Sequence, residues 1–125
     1  MARLLPRPTD TELAILRVLW TRGPSTVRQV HEALEGRDTG YTTTLKIMQI
    51  MADKGLVTRD QSERTHVYST KLTQDQTQRQ LVSDLMDRAF GGSAAALVMQ
   101  ALSAHPATTE ELKEIRKLIN DSMAR

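Results

Sequence analysis

The chain has 125 residues, of which 39% are hydrophobic and 26% charged, and its formal net charge is +2 at pH 7. This balance is globular, and the sequence has neither an apolar run of about 20 residues nor an N-terminal signal segment, so we expect a cytoplasmic protein without membrane insertion. The sequence contains no cysteine, which excludes disulfides, thiolate zinc sites and cysteine nucleophiles.

Two short helices are predicted at the start of the chain. Thr9 and Glu12 form a capping box before a helix at about residues 10–22, in which leucines and a tryptophan lie on one face. A glycine and a proline end this helix, and Ser25 or Thr26 is expected to cap the second one.

The second helix is expected to end at Gly36, and a polar linker at residues 37–40 leads to a third predicted helix at about residues 42–54. Leu45 and Met48 are expected to face inward, and Gly55 is suited to the left-handed cap at the C-terminal end.

The pattern changes after this glycine. Residues 56–60 and 65–69 are rich in β-branched and aromatic side chains, and residues 61–64 between them are polar. We therefore predict a two-stranded hairpin with a charged tip.

Three further helices are predicted after the hairpin. A second threonine capping box begins a long fourth helix, Ser93 caps a fifth, and Thr108 with Glu111 begins the last. Three helices and a hairpin form a winged helix-turn-helix, so the predicted fold is mainly α: a winged helix-turn-helix (three helices plus a β-hairpin wing) followed by a C-terminal helical dimerisation tail. The predicted domains are a DNA-binding domain at residues 1–71 and a dimerisation domain at residues 72–125.

The distribution of charge agrees with this division. Residues 1–71 hold 11 Lys and Arg against 8 Asp and Glu, whereas residues 72–125 hold 6 against 7. A basic surplus in the first domain suits a partner that carries phosphates, and we predict double-stranded DNA.

The third helix has the residue types that a major-groove helix needs. Small hydroxyls near its start allow close approach to DNA, and longer donors follow one turn later. Cations on the second helix and the hairpin are candidates for phosphate contacts. The predicted DNA-binding residues are Thr42, Thr43, Lys46, Gln49, Arg28, Arg59, Arg64 and His66.

The polar stripe on the third helix is also compatible with a solvated face, and a winged-helix protein-interaction module is the alternative function.

The tail has more apolar surface than three short helices bury among themselves, so a homodimer is predicted. The predicted dimerisation residues are Leu81, Leu85, Phe90, Leu97, Leu112, Ile115, Leu118 and Ile119.

Neither catalysis nor a cofactor is expected. The three histidines are far apart, and His31-Glu32 lacks the second histidine of a zinc-protease helix. There is also no nucleophile elbow and no phosphate-binding glycine loop. The sequence therefore predicts a protein that is not an enzyme and that has no metal site.

Several segments together resemble the penicillinase repressor family, the BlaI/MecI/CopY type of winged-helix regulators. They are TDTELAILRVLW, TVRQVHEAL, GYTTTLKIMQIMADKGLV, HVY in the hairpin and AFGGSAAALV in the tail. The resemblance implies a homodimer that represses transcription from a palindromic operator, commonly of resistance or stress-response genes. It assigns the DNA-facing role to Thr42, Thr43 and Lys46, with Gln49 beside them.

This chain departs from the family pattern at one DNA-contact position and in the residues of both known release mechanisms. Many members have an arginine late in the third helix where this chain has Ile50, so that contact is not expected here. Antibiotic-responsive members are cleaved at an Asn-Phe bond through a membrane sensor protease, a partner that the resemblance implies, but the aligned pair here is Gln100-Ala101. Copper-responsive members carry a C-terminal cysteine motif, which this chain lacks.

Overall fold

A computed structural model describes residues 7–34 and 40–125 of the chain. Within them the elements are α1 (Asp10–Arg22), β1 (Ser25–Thr26), α2 (Val27–Ala33), α3 (Tyr41–Lys54), β2 (Val57–Asp60), β3 (Val67–Thr70), α4 (Gln74–Ala89), α5 (Ala94–Ala104) and α6 (Thr109–Met123). The predicted winged helix with C-terminal helices is confirmed. Most of the predicted linker, residues 37–39, lies outside the described residues, as does Gly36, the predicted end of the second helix.

The chain divides into two compact units, Met1–Leu81 (unit 1) and Val82–Arg125 (unit 2). Unit 1 contains the three-helix head, the wing and the first turns of α4. The predicted functional domains, 1–71 and 72–125, stay a prediction.

Local capping determines where the helices begin. Thr9 accepts a hydrogen bond from the Glu12 amide at 3.2 Å, and the Glu12 carboxylate accepts one from the Thr9 amide at 2.9 Å. The same reciprocal pair opens α2, α4 and α6, where a threonine is matched by a glutamine or glutamate three residues later. At α2 the cap is Thr26, whose hydroxyl accepts from the Gln29 amide, whereas the Ser25 hydroxyl donates to the Gly23 carbonyl.

The sheet differs from the predicted hairpin in one respect. The two-residue strand β1 pairs antiparallel with β3, so the sheet has three strands in the order β1-β3-β2. A strand of two residues has no periodicity that a sequence pattern could reveal. The additional pairing joins the start of α2 directly to the wing.

The core of unit 1 lies between the three helices and the sheet, and it is built from aliphatic side chains, two methionines and Tyr68. Trp20 packs against this core, and its Nε1 donates to the Leu72 carbonyl at 3.1 Å. The side chain that ends α1 therefore also holds the chain that leads into α4.

A nearly buried carboxylate joins α1 to α3. The Lys54 Nζ lies 2.8 Å and 3.0 Å from the two carboxylate oxygens of Glu12, 42 positions earlier in the chain. The Glu12 side chain is 5% exposed and that of Lys54 is 33% exposed. Glu12 thus caps α1 and also holds the C-terminal end of α3 in place.

Candidate nucleic-acid interface

The helix α3 presents one polar face to solvent. Thr42, Thr43, Lys46 and Gln49 are all exposed, as the sequence predicted, whereas Met48 is fully buried. Because residues four apart lie one above the other on a helix, Thr42 and Lys46 follow one row and Gln49 continues beside it. The face is therefore a strip of hydroxyl, ammonium and amide groups.

Side chains of α2 support the start of this strip. The Arg28 guanidinium lies 5.1 Å from the centre of the Tyr41 ring, and the His31 ring meets the same tyrosine edge-on with centroids 5.9 Å apart. Thr44 donates to the Gly40 carbonyl at 3.4 Å and lies 3.0 Å from Nδ1 of His31. A His31 tautomer protonated at Nδ1 completes this chain of hydrogen bonds. The first turn of α3 is thus held to α2.

The wing and α3 enclose a cleft of about 240 Å³. The side chains that line it are Val27, Tyr41, Leu45, Gln49, Arg64, Thr65, His66 and Tyr68. The fold therefore brings Gln49 of the polar strip on α3 together with Arg64 and His66, two of the three predicted DNA-binding residues of the wing. In the described part of the chain, no carboxylate lines this cleft.

The two faces of the wing carry opposite charge. Asp60 pairs directly with Val67, so these two side chains share one face, where a second groove is lined by Asp60 and Glu63. Arg59 pairs with Tyr68 and therefore lies on the other face, toward α3. Arg64 lines the cleft on that side beside the imidazole of His66, and its guanidinium makes the face of the wing that is turned toward α3 cationic.

Arg59 is half-buried and is not among the residues that line the cleft. With the Gln61 amide oriented so that its oxygen faces the guanidinium, that oxygen accepts from Nε at 2.8 Å and from Nη2 at 3.0 Å. Arg59 is therefore engaged within the wing, in contrast to the exposed Arg64.

Asp60 stays charged at the end of β2, beside the tip of the wing. The Ser62 backbone amide donates to its carboxylate at 2.9 Å, and together with the Ser62 hydroxyl and the nearby His66 it lowers the pKa of Asp60 below its ordinary value of 3.8. The negative charge on the outer face of the wing is thus present at neutral pH.

Sequence reasoning missed the side chains that hold the first turn of α3 against α2. Tyr41 was not identified as a site residue, although an aromatic side chain at the first position of a polar helix end was a signal. Thr44 is buried whereas Thr42 and Thr43 are exposed. Its position four residues before the inward-facing Met48 was the signal that separated it from the other two threonines.

Unit 2 has a largely exposed apolar surface. Neither α5 nor α6, both fully described, contains a buried residue. Of the predicted dimerisation residues, Leu85, Leu112, Leu118 and Ile119 are 42–66% exposed. Phe90, Leu97 and Ile115 are half-buried, as is Leu81 at the end of unit 1.

The helix α4 also buries polar side chains and exposes apolar ones. Its buried residues are polar, namely Thr77, Gln80 and Asp84, while Val82 and Leu85 are exposed. Several other exposed apolar side chains of unit 2 were not among the predicted dimerisation residues: Val82, Val98, Met99, Leu102 and Met123.

The Gln100-Ala101 pair lies inside α5. Both residues are exposed, and the Ala101 carbonyl accepts the hydrogen bond of the His105 amide at the end of the helix. The peptide bond between them is therefore part of a regular helix.

Among the residues that the structure describes, no three His, Asp or Glu side chains come together in a way that holds a metal ion. No helix among the described segments is long and apolar enough to cross a membrane.

Three helices, a β-wing and a polar face on the third helix define a winged helix-turn-helix protein. A family model described as penicillinase repressor matches residues 8–121. Two relatives named transcriptional regulator BlaI, from Mycobacterium tuberculosis strains CDC 1551 / Oshkosh and H37Rv, are each 41% identical over 98 residues, which cover 75% of this chain and 71% of theirs. A penicillinase repressor of Staphylococcus aureus is 19% identical over 111 residues, 88% of both chains, and one of Bacillus licheniformis is 20% identical over 118 residues, 94% of this chain and 92% of its own.

The chain belongs to the penicillinase repressor family. This confirms the resemblance that the sequence motifs indicated, and it confirms a role in the regulation of transcription. The family consists of transcriptional repressors and not of enzymes, as the sequence predicted.

Proposed function

We propose that this repressor binds a palindromic DNA operator as a homodimer, with α3 in the major groove and the wing over the flanking backbone. The observation that carries the proposal is the juxtaposition of the polar strip on α3 with the cationic face of the wing, across a cleft that no carboxylate of the described residues lines. The hydrogen-bond donors of the strip match the acceptors on guanine and adenine edges, and the cationic face of the wing matches the phosphate backbone.

The start of α3 supports a phosphate contact. Gly40 is the N-cap and provides no side chain to the first backbone amides, which carry the positive end of the helix dipole. The hydroxyls of Thr42 and Thr43 are exposed in the same turn. A phosphate group satisfies these donors while Lys46 and Gln49 reach base edges one turn later.

A second copy of the chain is the proposed occupant of the apolar surface on unit 2. The exposed side chains of α5 and α6 have no core of their own to enter, and a symmetric dimer buries the same patch on both copies. Two heads held together bind a palindrome with high effective concentration, so dimerisation and operator affinity are coupled.

The test of DNA binding is fluorescence anisotropy with the promoter of the protein's own gene against random DNA of equal length. We expect Lys46→Ala to weaken specific binding by about 1–3 kcal/mol without loss of the fold. Lys113→Ala, in the exposed part of α6, is the matched control and should leave the affinity unchanged. If the wild type bound the promoter no better than random DNA, the proposal would fail, and the protein-interaction alternative would gain support.

The wing provides a second comparison between neighbouring residues. Arg64→Gln should reduce the slope of log affinity against log salt by about 0.9 for each protomer, the value of one lost phosphate contact. Glu63→Gln, on the acidic face, should leave the slope nearly unchanged. Equal changes for the two variants would argue against the proposed orientation of the wing.

Dimerisation is tested by light scattering. Leu118 is 66% exposed, and Leu118→Asp should give monomers and weaker operator binding. Lys117→Asp introduces the same carboxylate on the polar face of α6 and should stay dimeric. A dimeric Leu118→Asp would remove α6 from the proposed interface.

The membrane sensor protease remains a predicted partner. The replacement of the Asn-Phe pair by Gln100-Ala101 within α5 favours release of DNA by a route other than cleavage at this bond. Mass spectrometry of the protein from induced cells tests this, and a fragment ending at Gln100 would contradict it.

A further inference from the structure

One apolar residue interrupts the polar face of α3. Ile50 is 43% exposed, and among residues 7–34 and 40–81 Tyr41 is the only other large apolar side chain that is exposed. The Tyr41 ring is contacted by Arg28 and His31, as described above. Ile50 belongs neither to the core cluster nor to the residues that line the cleft beside the wing.

The surroundings of Ile50 indicate what it contacts. On a helix its neighbours at three and four residues' distance include Lys46, Asp53 and Lys54. The Lys54 ammonium is paired with Glu12, so Lys46 is the cation beside the Ile50 methyl groups on the outer face of α3. A single exposed isoleucine is far smaller than the patches of a few hundred Å² that mark protein-binding sites. Its position beside Lys46 and Gln49 fits a small apolar group that lies next to negative charge and hydrogen-bonding edges.

The major groove of DNA contains one such group. Thymine alone presents a C5-methyl there, next to hydrogen-bonding edges and between two phosphate backbones. We propose that Ile50 contacts the C5-methyl group of a thymine in each half-site and is a specificity-determining residue of this repressor. The inference rests on the proposed operator binding by α3.

The helix geometry restricts the position of this thymine. Ile50 lies four residues after Lys46, which is about 6 Å along the helix axis at a rise of about 1.5 Å per residue. Bases of one strand are about 3.4 Å apart. The thymine therefore lies within about two base pairs of the base or phosphate that Lys46 approaches.

The experiment uses the full chain and an operator fragment in which deoxyuridine, which lacks only the C5-methyl, replaces thymidine at one symmetric position at a time. Removal of one buried methyl group should weaken binding about 4-fold per half-site and about 16-fold when both half-sites are changed. We expect this loss at one position of the half-site. Ile50→Ala should lower the affinity for the thymidine operator and abolish the difference between thymidine and deoxyuridine at that position.

Gln49→Ala is the matched control on the same helix and should keep the thymidine preference. Circular dichroism should give an unchanged unfolding transition for Ile50→Ala, because the side chain lies outside the core. Ile50→Val should retain part of the preference, since it still presents methyl groups.

Two results would overturn the inference and leave operator binding intact: specific binding that tolerates deoxyuridine at every position, or an Ile50→Ala variant that keeps the full preference for thymidine. The second result includes an Ile50→Ala variant whose affinities for the thymidine and deoxyuridine operators are reduced by the same factor. An Ile50→Ala variant that loses a protein contact while its DNA affinity is unchanged would also overturn the inference. No preference of the wild type for the operator over random DNA would overturn both proposals.

Discussion

The ion pair between Glu12 and Lys54 should be strongly coupled, because one partner has almost no access to solvent. Lys54→Met removes the ammonium and keeps most of the length of the side chain, which leaves a carboxylate at 5% exposure without its cation. Glu12→Gln removes the charge but keeps the capping box, since a glutamine serves at the same position of the helix.

The magnitude lies between two limits. Removal of one partner of a fully buried pair destabilises a protein by about 3–5 kcal/mol, whereas an exposed pair contributes about 0–1 kcal/mol. Because the Lys54 side chain retains 33% exposure, we expect about 2 kcal/mol for Lys54→Met and about 1 kcal/mol for Glu12→Gln. The double variant should lose only about 1.5 kcal/mol, because it no longer contains a buried charge, so the coupling energy is about 1.5 kcal/mol.

Urea unfolding of all four proteins at pH 7 measures this cycle, at one protein concentration because dimerisation affects apparent stability. The pair Asp75–Arg79 on α4 is the control: its N···O distance is 3.1 Å but its side chains are 76% and 81% exposed. The same cycle there should give at most about 0.5 kcal/mol. A Glu12–Lys54 coupling as small as that of the control would refute the reasoning from burial.

Three smaller predictions concern the ends of α3 and the wing. Gly55 has a φ of +85°, so Gly55→Ala should destabilise the protein by about 1 kcal/mol in urea unfolding, and an unchanged midpoint would contradict this. Gly40 has extended backbone and open space where a Cβ would lie, so Gly40→Ser should stabilise the fold by about 0.5 kcal/mol as a new N-cap, and a loss of stability would count against the capping argument. Since the pKa of Asp60 is lowered by folding, the stability that Asp60 contributes is present above pH 3.8 and lost as the pH falls through its folded pKa, so its carbon resonance should titrate below pH 3.8. Ser62→Pro removes the amide donor and should shift that midpoint upward, whereas no shift would assign the effect elsewhere.

Much of the fold was predictable because its signals are local. A threonine and a glutamate or glutamine three residues apart satisfy each other's backbone groups, so Thr9 with Glu12 and Thr108 with Glu111 mark helix starts in the sequence itself. Gly55 marks the end of α3 in the same way, because few other residues adopt its backbone conformation. The exposed face of α3 followed from helical periodicity alone.

Other features depend on contacts between distant residues. The strand β1 exists only because β3 lies beside it, and the pairing of Glu12 with Lys54 joins positions 42 residues apart. The sequence also presented Arg59, Arg64 and Asp60 as neighbours on one charged hairpin. Which of them faces α3 depends on strand register, because successive side chains point to opposite faces of a sheet.

The sequence by itself thus determined the helices, their caps and the polar strip on α3, since each rests on interactions within about four residues. Only the tertiary structure decided that the cationic face of the wing is turned toward this strip, that Tyr41 and Thr44 hold its first turn against α2, and that Ile50 is left exposed beside Lys46. Burial and register arise when distant segments pack together, and no local pattern records them.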